Sequence, residues 1–199
     1  MRPARQTMLP RALAAAALFL AVHAVPAGAA PVAYLLQPDL SVVAFETDFG
    51  TSGLTITGRM PIAAASLAID FANLADSRVE VTMDAARART SNPLATGAML
   101  GPRVLAVATY PTLRFESTAI RARGAGAEVA GNLTIRDVTR PVTLAARIYR
   151  QTGTEAGDLS RLSVLLTGKI DRSDFGAGGF PNMVGSEVRL KILARIEKK

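Results

Sequence analysis

The sequence predicts an all-β fold of antiparallel strands, on three observations. Apolar residues occupy every second position in segment after segment, the mark of half-buried strands. Gly, Pro, Asp and Asn signals divide most of these segments into eight or nine strands. The loops between them are short, which favours antiparallel neighbours, because a parallel pair needs a long crossover.

Ahead of the first strand, residues 1–11 carry Arg2, Arg5 and Arg11 and no acid. An apolar run from Ala12 to Val22 follows, then Pro26-Ala27-Gly28-Ala29-Ala30. A basic start, a short apolar core and a small-residue site predict a secretory signal peptide over residues 1–29. The run is shorter than the roughly 20 residues of a spanning helix. Cleavage is expected near Ala29 or Ala30, leaving one domain over 30–199 in the periplasm or outside the cell.

The strands follow in order. Val43, Phe45 and Phe49 share a face opposite Glu46 and Asp48. Leu54, Ile56 and Met60 alternate with Thr55, Thr57 and Arg59. Leu67, Ile69 and Phe71 oppose Ser66 and Asp70. Val79, Val81 and Met83 oppose Arg78, Glu80 and Asp84. The stretch from Asn92 to Val107 lacks period two, and Asn92-Pro93 suits a helix cap with Pro at the first position. One or two short helices are predicted there, broken at Gly101-Pro102. Strand patterning resumes at Leu113 and Phe115. It continues through Val129, Leu133 and Ile135, then Val142, Leu144 and Ile148. Leu162, Val164 and Leu166 follow, and Val188, Leu190 and Ile192 come last. Gly124-Ala125-Gly126 and Thr152 to Asp158 read as hairpin loops. The apolar face is buried either in a two-layer sandwich or in a closed barrel, and the pattern alone allows both.

Composition narrows the chemistry. The 199 residues include 23 basic and 16 acidic ones, no cysteine and one histidine, His23. The hydrophobic fraction of 49% and charged fraction of 20% are globular values. Cleavage of the leader removes three basic residues and His23, leaving 20 basic against 16 acidic. Without His or Cys, the mature chain has no Ser-His-Asp or Cys-His catalysis and no imidazole or thiolate zinc site. No Lys/Arg cluster remains to neutralise a run of phosphates, so no nucleic-acid partner is expected. Glu46, Asp48, Asp70 and Asp84 fall on outward faces and are expected to be solvated rather than to form a catalytic carboxylate pair.

Three stretches resemble the YceI-like family of secreted bacterial proteins. They are Tyr110-Pro111-Thr112-Leu113-Arg114-Phe115-Glu116-Ser117, the run from Gly131 to Val142 through Leu133-Thr134-Ile135 and Pro141, and Arg172-Ser173-Asp174-Phe175-Gly176. Asp39 to Phe45 is similar to that family's first strand, and Asp137 stands where its hairpin carries Gly. The resemblance implies an antiparallel eight-stranded lipocalin-like barrel with a short helical insert near residues 92–107. It also implies a non-catalytic protein that binds a long polyisoprenoid, a polyprenyl phosphate or a prenylquinone tail, in an apolar tunnel. No cofactor is expected beyond that lipid.

On this reading Phe45, Phe49, Ile69, Val81, Leu113, Phe115, Leu133, Leu144, Leu166 and Leu190 line the tunnel. Arg103, Arg172 and Asp174 are candidates for the head group. For Arg172 and Asp174 the competing expectation is an ion pair or turn cap that closes the last hairpin. No metal site is expected. The partners are the lipid, a transient membrane contact and a homodimer through edge strands. Two other functions compete: a filled barrel acting as an interaction module, and a quinone-linked factor of a membrane redox system.

Overall fold

The computed structural model describes residues 30–50 and 53–199. The predicted leader, residues 1–29, lies outside the described residues. The chain forms one continuous antiparallel sheet that closes on itself. Its strands are β1 (Val32–Leu36), β2 (Val42–Phe49), β3 (Leu54–Met60), β4 (Ile62–Ile69), β5 (Arg78–Asp84) and β6 (Arg89–Thr90). Helix α1 (Pro93–Leu100) separates these from β7 (Thr112–Arg123), β8 (Gly126–Ile135), β9 (Val138–Arg150), β10 (Arg161–Asp171) and β11 (Val184–Lys198).

The eleven strands make eight staves, because the first three staves are each broken once. β1 and β2 lie along the same edge of β11, with Leu36 opposite Ile196 and Val42 opposite Leu193. A 3-10 turn at Pro38–Leu40 separates them. β3 and β4 flank Pro61, which has no N–H for a ladder. β3 pairs with β2, while β4 pairs with β1 and β5. β5 and β6 break at the turn of Ala85 and Ala88, both fully buried. From β5 the ring runs through β7, β8, β9 and β10 to β11, which returns to β1. The closed barrel replaces the sandwich that the alternation also allowed.

β1 was not legible as alternation, because Val32-Ala33-Tyr34-Leu35-Leu36 has no polar partner face. The insert holds one helix. Asn92 caps it, its side-chain oxygen accepting from the Leu94 and Ala95 N–H groups, with Pro93 first in the helix. After Gly101 the chain continues in turns, not in a second helix. Asp70 is also corrected. It is buried rather than solvated, and its Oδ1 accepts from the Ala72 and Asn73 N–H groups at the end of β4.

Two openings in the ladder give the barrel its shape. β9 pairs with β10 only over Ala145 to Arg150, so the Val138–Leu144 half has a single partner, β8. Pro141 sits in that half, where its missing N–H breaks no second ladder. At the same end, β6 and β7 diverge, and α1 with the turns that follow it bridges them. At the opposite end Tyr34, Leu67, Leu162 and Ile196 pack into a small cluster of their own. The Tyr34 hydroxyl donates to the Leu159 carbonyl at 2.9 Å, and its ring meets Phe71 edge-on at 5.9 Å.

Candidate functional site

The inward faces of the staves enclose one large apolar cavity of about 620 Å³. Close-packed interiors hold few voids larger than a water molecule, whose share of liquid volume is about 30 Å³. A space of this size is a designed interior, within the usual range for small-molecule sites. It runs from Leu67 and Ile196 near the Tyr34 cluster to Leu94, Phe180 and Met183 at the α1 end.

Each of the ten residues expected to line a tunnel is in this wall. Leu113, Phe115, Leu133 and Leu144 are buried against their neighbours. Phe45, Phe49, Ile69, Val81, Leu166 and Leu190 point inward yet are only half-buried, because they face open space. The sequence reading missed part of the wall. Met60, Met83, Leu105 and Met99 also line it, as do Phe180 and Met183 from the loop before β11. Met60 and Met83 lay on the correct faces by alternation, but Met99 and Leu105 come from the segment that has no period.

Polar groups in the wall are engaged by the protein. Thr47 Oγ1 donates to the Glu187 carbonyl at 2.9 Å. Ser77 Oγ accepts from the Asp70 N–H at 3.0 Å. Thr90 Oγ1 donates to the Asn92 carbonyl at 2.7 Å. Each of these groups is held in place before any guest arrives, and the lumen offers a guest mainly methyl, methylene and aromatic surface.

The three head-group candidates separate. Arg172 is buried and borders the cavity, but its guanidinium is spent on the backbone. Nε donates to Gly185 O, Nη1 to Ala177 O and Gly179 O, and Nη2 to Val184 O, at 2.7–2.8 Å. It is a turn cap that ties the loop before β11 to the end of β10. Burial pulls its pKa below the usual arginine value. Asp174 is exposed in the 3-10 turn Arg172–Phe175 and is not part of the wall. Arg103 stacks on Phe180, its Cζ 4.7 Å from the ring centre, and so stands beside a residue of the cavity wall. A second such pair, Arg136 over Tyr110 at 5.8 Å, lies near the same end.

Among the described residues no carboxylate lines the cavity. Glu46 and Asp48 on β2 both accept from Arg189 on β11, at 2.7 Å each. Those hydrogen bonds hold the Asp48 carboxyl below its ordinary pKa. Among the described residues no group of three or more His, Cys, Asp or Glu side chains is arranged to hold a metal ion.

A closed antiparallel barrel with an apolar interior and a helix at one end is a lipocalin-like binding barrel in its architecture. The YceI-like domain family matches residues 34–196, and the chain belongs to that family. Among curated proteins, a UPF0312 protein of Pseudomonas aeruginosa is 33% identical over 94 residues, 47% of this chain and 49% of that protein. One from Yersinia pestis is 33% identical over 110 residues, 55% of this chain and 57% of that protein. The chain thus spans about half the length of the curated relatives it matches.

Solved structures share the fold. Burkholderia cenocepacia BcnA aligns with a TM-score of 0.68 at 21% identity, over 81% of this chain and 99% of that one. A polyisoprenoid binding domain from Saccharophagus degradans, implicated in plant cell wall breakdown, aligns with a TM-score of 0.60 at 16% identity, over 84% and 99%. The Campylobacter jejuni YCEI protein gives 0.58 at 22% identity, over 69% and 83%.

Proposed function

We propose that this chain is an exported, non-catalytic protein that sequesters or carries a long-chain polyisoprenoid lipid in its barrel. The guest is a polyprenyl phosphate or the prenyl tail of a quinone. One observation carries the reading: the interior is an apolar cavity of about 620 Å³ whose polar wall groups are engaged by the protein itself. Such a space favours a guest that is hydrocarbon along most of its length. Each buried CH₂ contributes about 0.8 kcal/mol. A few isoprene units inside therefore suffice for tight binding, even after the ordering of a flexible chain is subtracted. The head group stays at the α1 end beside Arg103, because Arg172 commits four of its five N–H donors to backbone carbonyls and Asp174 lies outside the wall. The membership of the family and the polyisoprenoid binding domain among the structural neighbours support the choice of lipid. The predicted leader supports export to the periplasm or beyond.

The test is extraction of the purified protein with organic solvent, followed by mass spectrometry. A prenyl species at near-stoichiometric yield is the expected result. An empty extract, with no uptake of added polyprenyl phosphate, would overturn the reading and favour an interaction module.

A further inference from the structure

The methionines of this chain are gathered in one place. Met1 and Met8 belong to the predicted leader; the other four, Met60, Met83, Met99 and Met183, all line the cavity. They come from β3, β5, α1 and the loop before β11, so it is the lumen that brings them together. The chain has no cysteine, which makes thioethers its only sulfur. A flexible thioether fills irregular gaps in a core, and that accounts for Met60 and Met83, 6% and 7% exposed. It does not account for Met183. That side chain is 53% exposed and fills no gap, yet it borders the cavity, so it stands at the mouth. Met99 on α1 is half-buried, between the two extremes.

The wall around these sulfurs has little to offer a new polar group. The Thr47 and Thr90 hydroxyls already donate to backbone carbonyls, and Arg172 commits four of its N–H donors in the same way. A sulfoxide at the mouth would find its hydrogen bonds in water. An apolar guest passing that point would strip the water away, and burying a polar group without a partner is costly. One added oxygen on Met183 would thus turn polar an entrance that Leu94 and Phe180 otherwise line with hydrocarbon.

We propose that Met183 is an oxidation site that controls entry to the cavity: a peroxide converts its thioether to the sulfoxide, and the barrel then holds its apolar guest less tightly. In that step the sulfur gives up two electrons and the O–O bond of the peroxide breaks. One oxygen forms the S–O bond and the other leaves as water. The change is reversible, because methionine sulfoxide reductases return each sulfoxide epimer to the thioether. Met99 reacts next, while Met60 and Met83 are shielded as long as the barrel is folded. The inference rests on the lipid-carrier reading only in that the guest is apolar, not in its being a prenyl lipid.

The test treats the purified protein with dilute hydrogen peroxide, follows each methionine by peptide mass spectrometry and titrates the apolar dye N-phenylnaphthylamine by fluorescence. Met183 should oxidise first, Met99 second, and Met60 and Met83 last. Dye affinity should fall about tenfold once Met183 is converted. Methionine sulfoxide reductases for both epimers, with dithiothreitol, should restore it. In Met183→Leu, whatever its starting affinity, the ratio before and after mild peroxide should stay near one. Oxidation of Met60 or Met83 as fast as Met183 overturns the proposal, as does unchanged affinity in the oxidised protein. So does a parent-like loss in Met183→Leu, or a loss that tracks unfolding by circular dichroism. Failure of the untreated protein to take up the dye overturns it too. The dye is not a prenyl lipid, so each of these failures leaves the carrier reading standing. An empty solvent extract, conversely, leaves the oxidation result standing.

Discussion

The ring of Phe45 lies over Gly58, its directly paired partner on β3. A Cβ at position 58 would stand 2.5 Å from Phe45 Cε2 and 2.8 Å from the Arg89 carbonyl oxygen. Phe115 lies over Gly131, two residues along β8 from its paired Leu133, and Leu144 lies over Gly168. In each pair a large inward side chain is laid along the wall in the notch left by a glycine. This is how a barrel lined with Phe and Leu keeps an open lumen.

Gly168→Ala should close part of that space. Its Cβ would meet Leu144 Cδ2 at 2.5 Å and the Thr143 carbonyl oxygen at 3.1 Å, so Leu144 must swing toward the lumen. Overpacking of this kind costs about 1–3 kcal/mol. Leu144→Ala in the same chain should relieve the clash, giving a coupling of at least about 0.5 kcal/mol in a urea double-mutant cycle. Additive effects would show that the notch does not hold the leucine.

Phe115→Ala separates a guest-lined wall from a mere core. The ring is 8% exposed, and truncation should cost about 3–5 kcal/mol in the empty protein. With polyprenyl phosphate bound, the loss should be larger, because the ring then also loses its contact with the guest. Denaturation with and without lipid reads the difference; equal losses would place Phe115 away from the ligand.

Arg172→Lys tests the turn cap. Lysine lacks the planar fork, so at least one of the four carbonyls now bonded loses its donor. A buried acceptor left unpaired costs about 1–3 kcal/mol. Urea midpoints should fall by a corresponding amount even in lipid-free protein. A variant as stable as the parent would return Arg172 to the head-group role.

Arg189 sets an acid limit on the outer face of β2 and β11. Its hydrogen bond holds the folded-state pKa of Asp48 below the unfolded one. The resulting stabilisation is fully present above the unfolded value of about 3.9 and is lost as pH falls through the folded value. Arg189→Gln should therefore show a smaller drop in urea midpoint between about pH 7 and about pH 3. Both groups are exposed, so the effect is modest. An identical drop in the two proteins would remove the pair from the account.

The inward face of most staves was readable because side chains alternate strictly along a strand. Val43 and Phe45 on β2, or Leu133 and Ile135 on β8, needed only their spacing to be assigned. Asn92 and Pro93 were equally readable, since a cap acts within four residues. Closure was not, because it depends on β11 meeting β1 and β2 across more than a hundred residues of chain. The glycine notches were hidden for the same reason: Gly58 acquires its meaning only from the register with Phe45. Arg172 looked free for a ligand because its acceptors are backbone carbonyls, which every residue has. Asp70 looked solvated because the turn it caps begins where the strand pattern stops.

β11 presents one long edge to both β1 and β2, so the first part of the described chain finds its seam only in the last part. The cylinder cannot be sealed while its carboxyl terminus is still being made. A newly emerging chain must wait with its greasy faces uncovered, and contacts this distant in sequence make for slow assembly. Truncation before residue 184 would leave the early staves without their clasp.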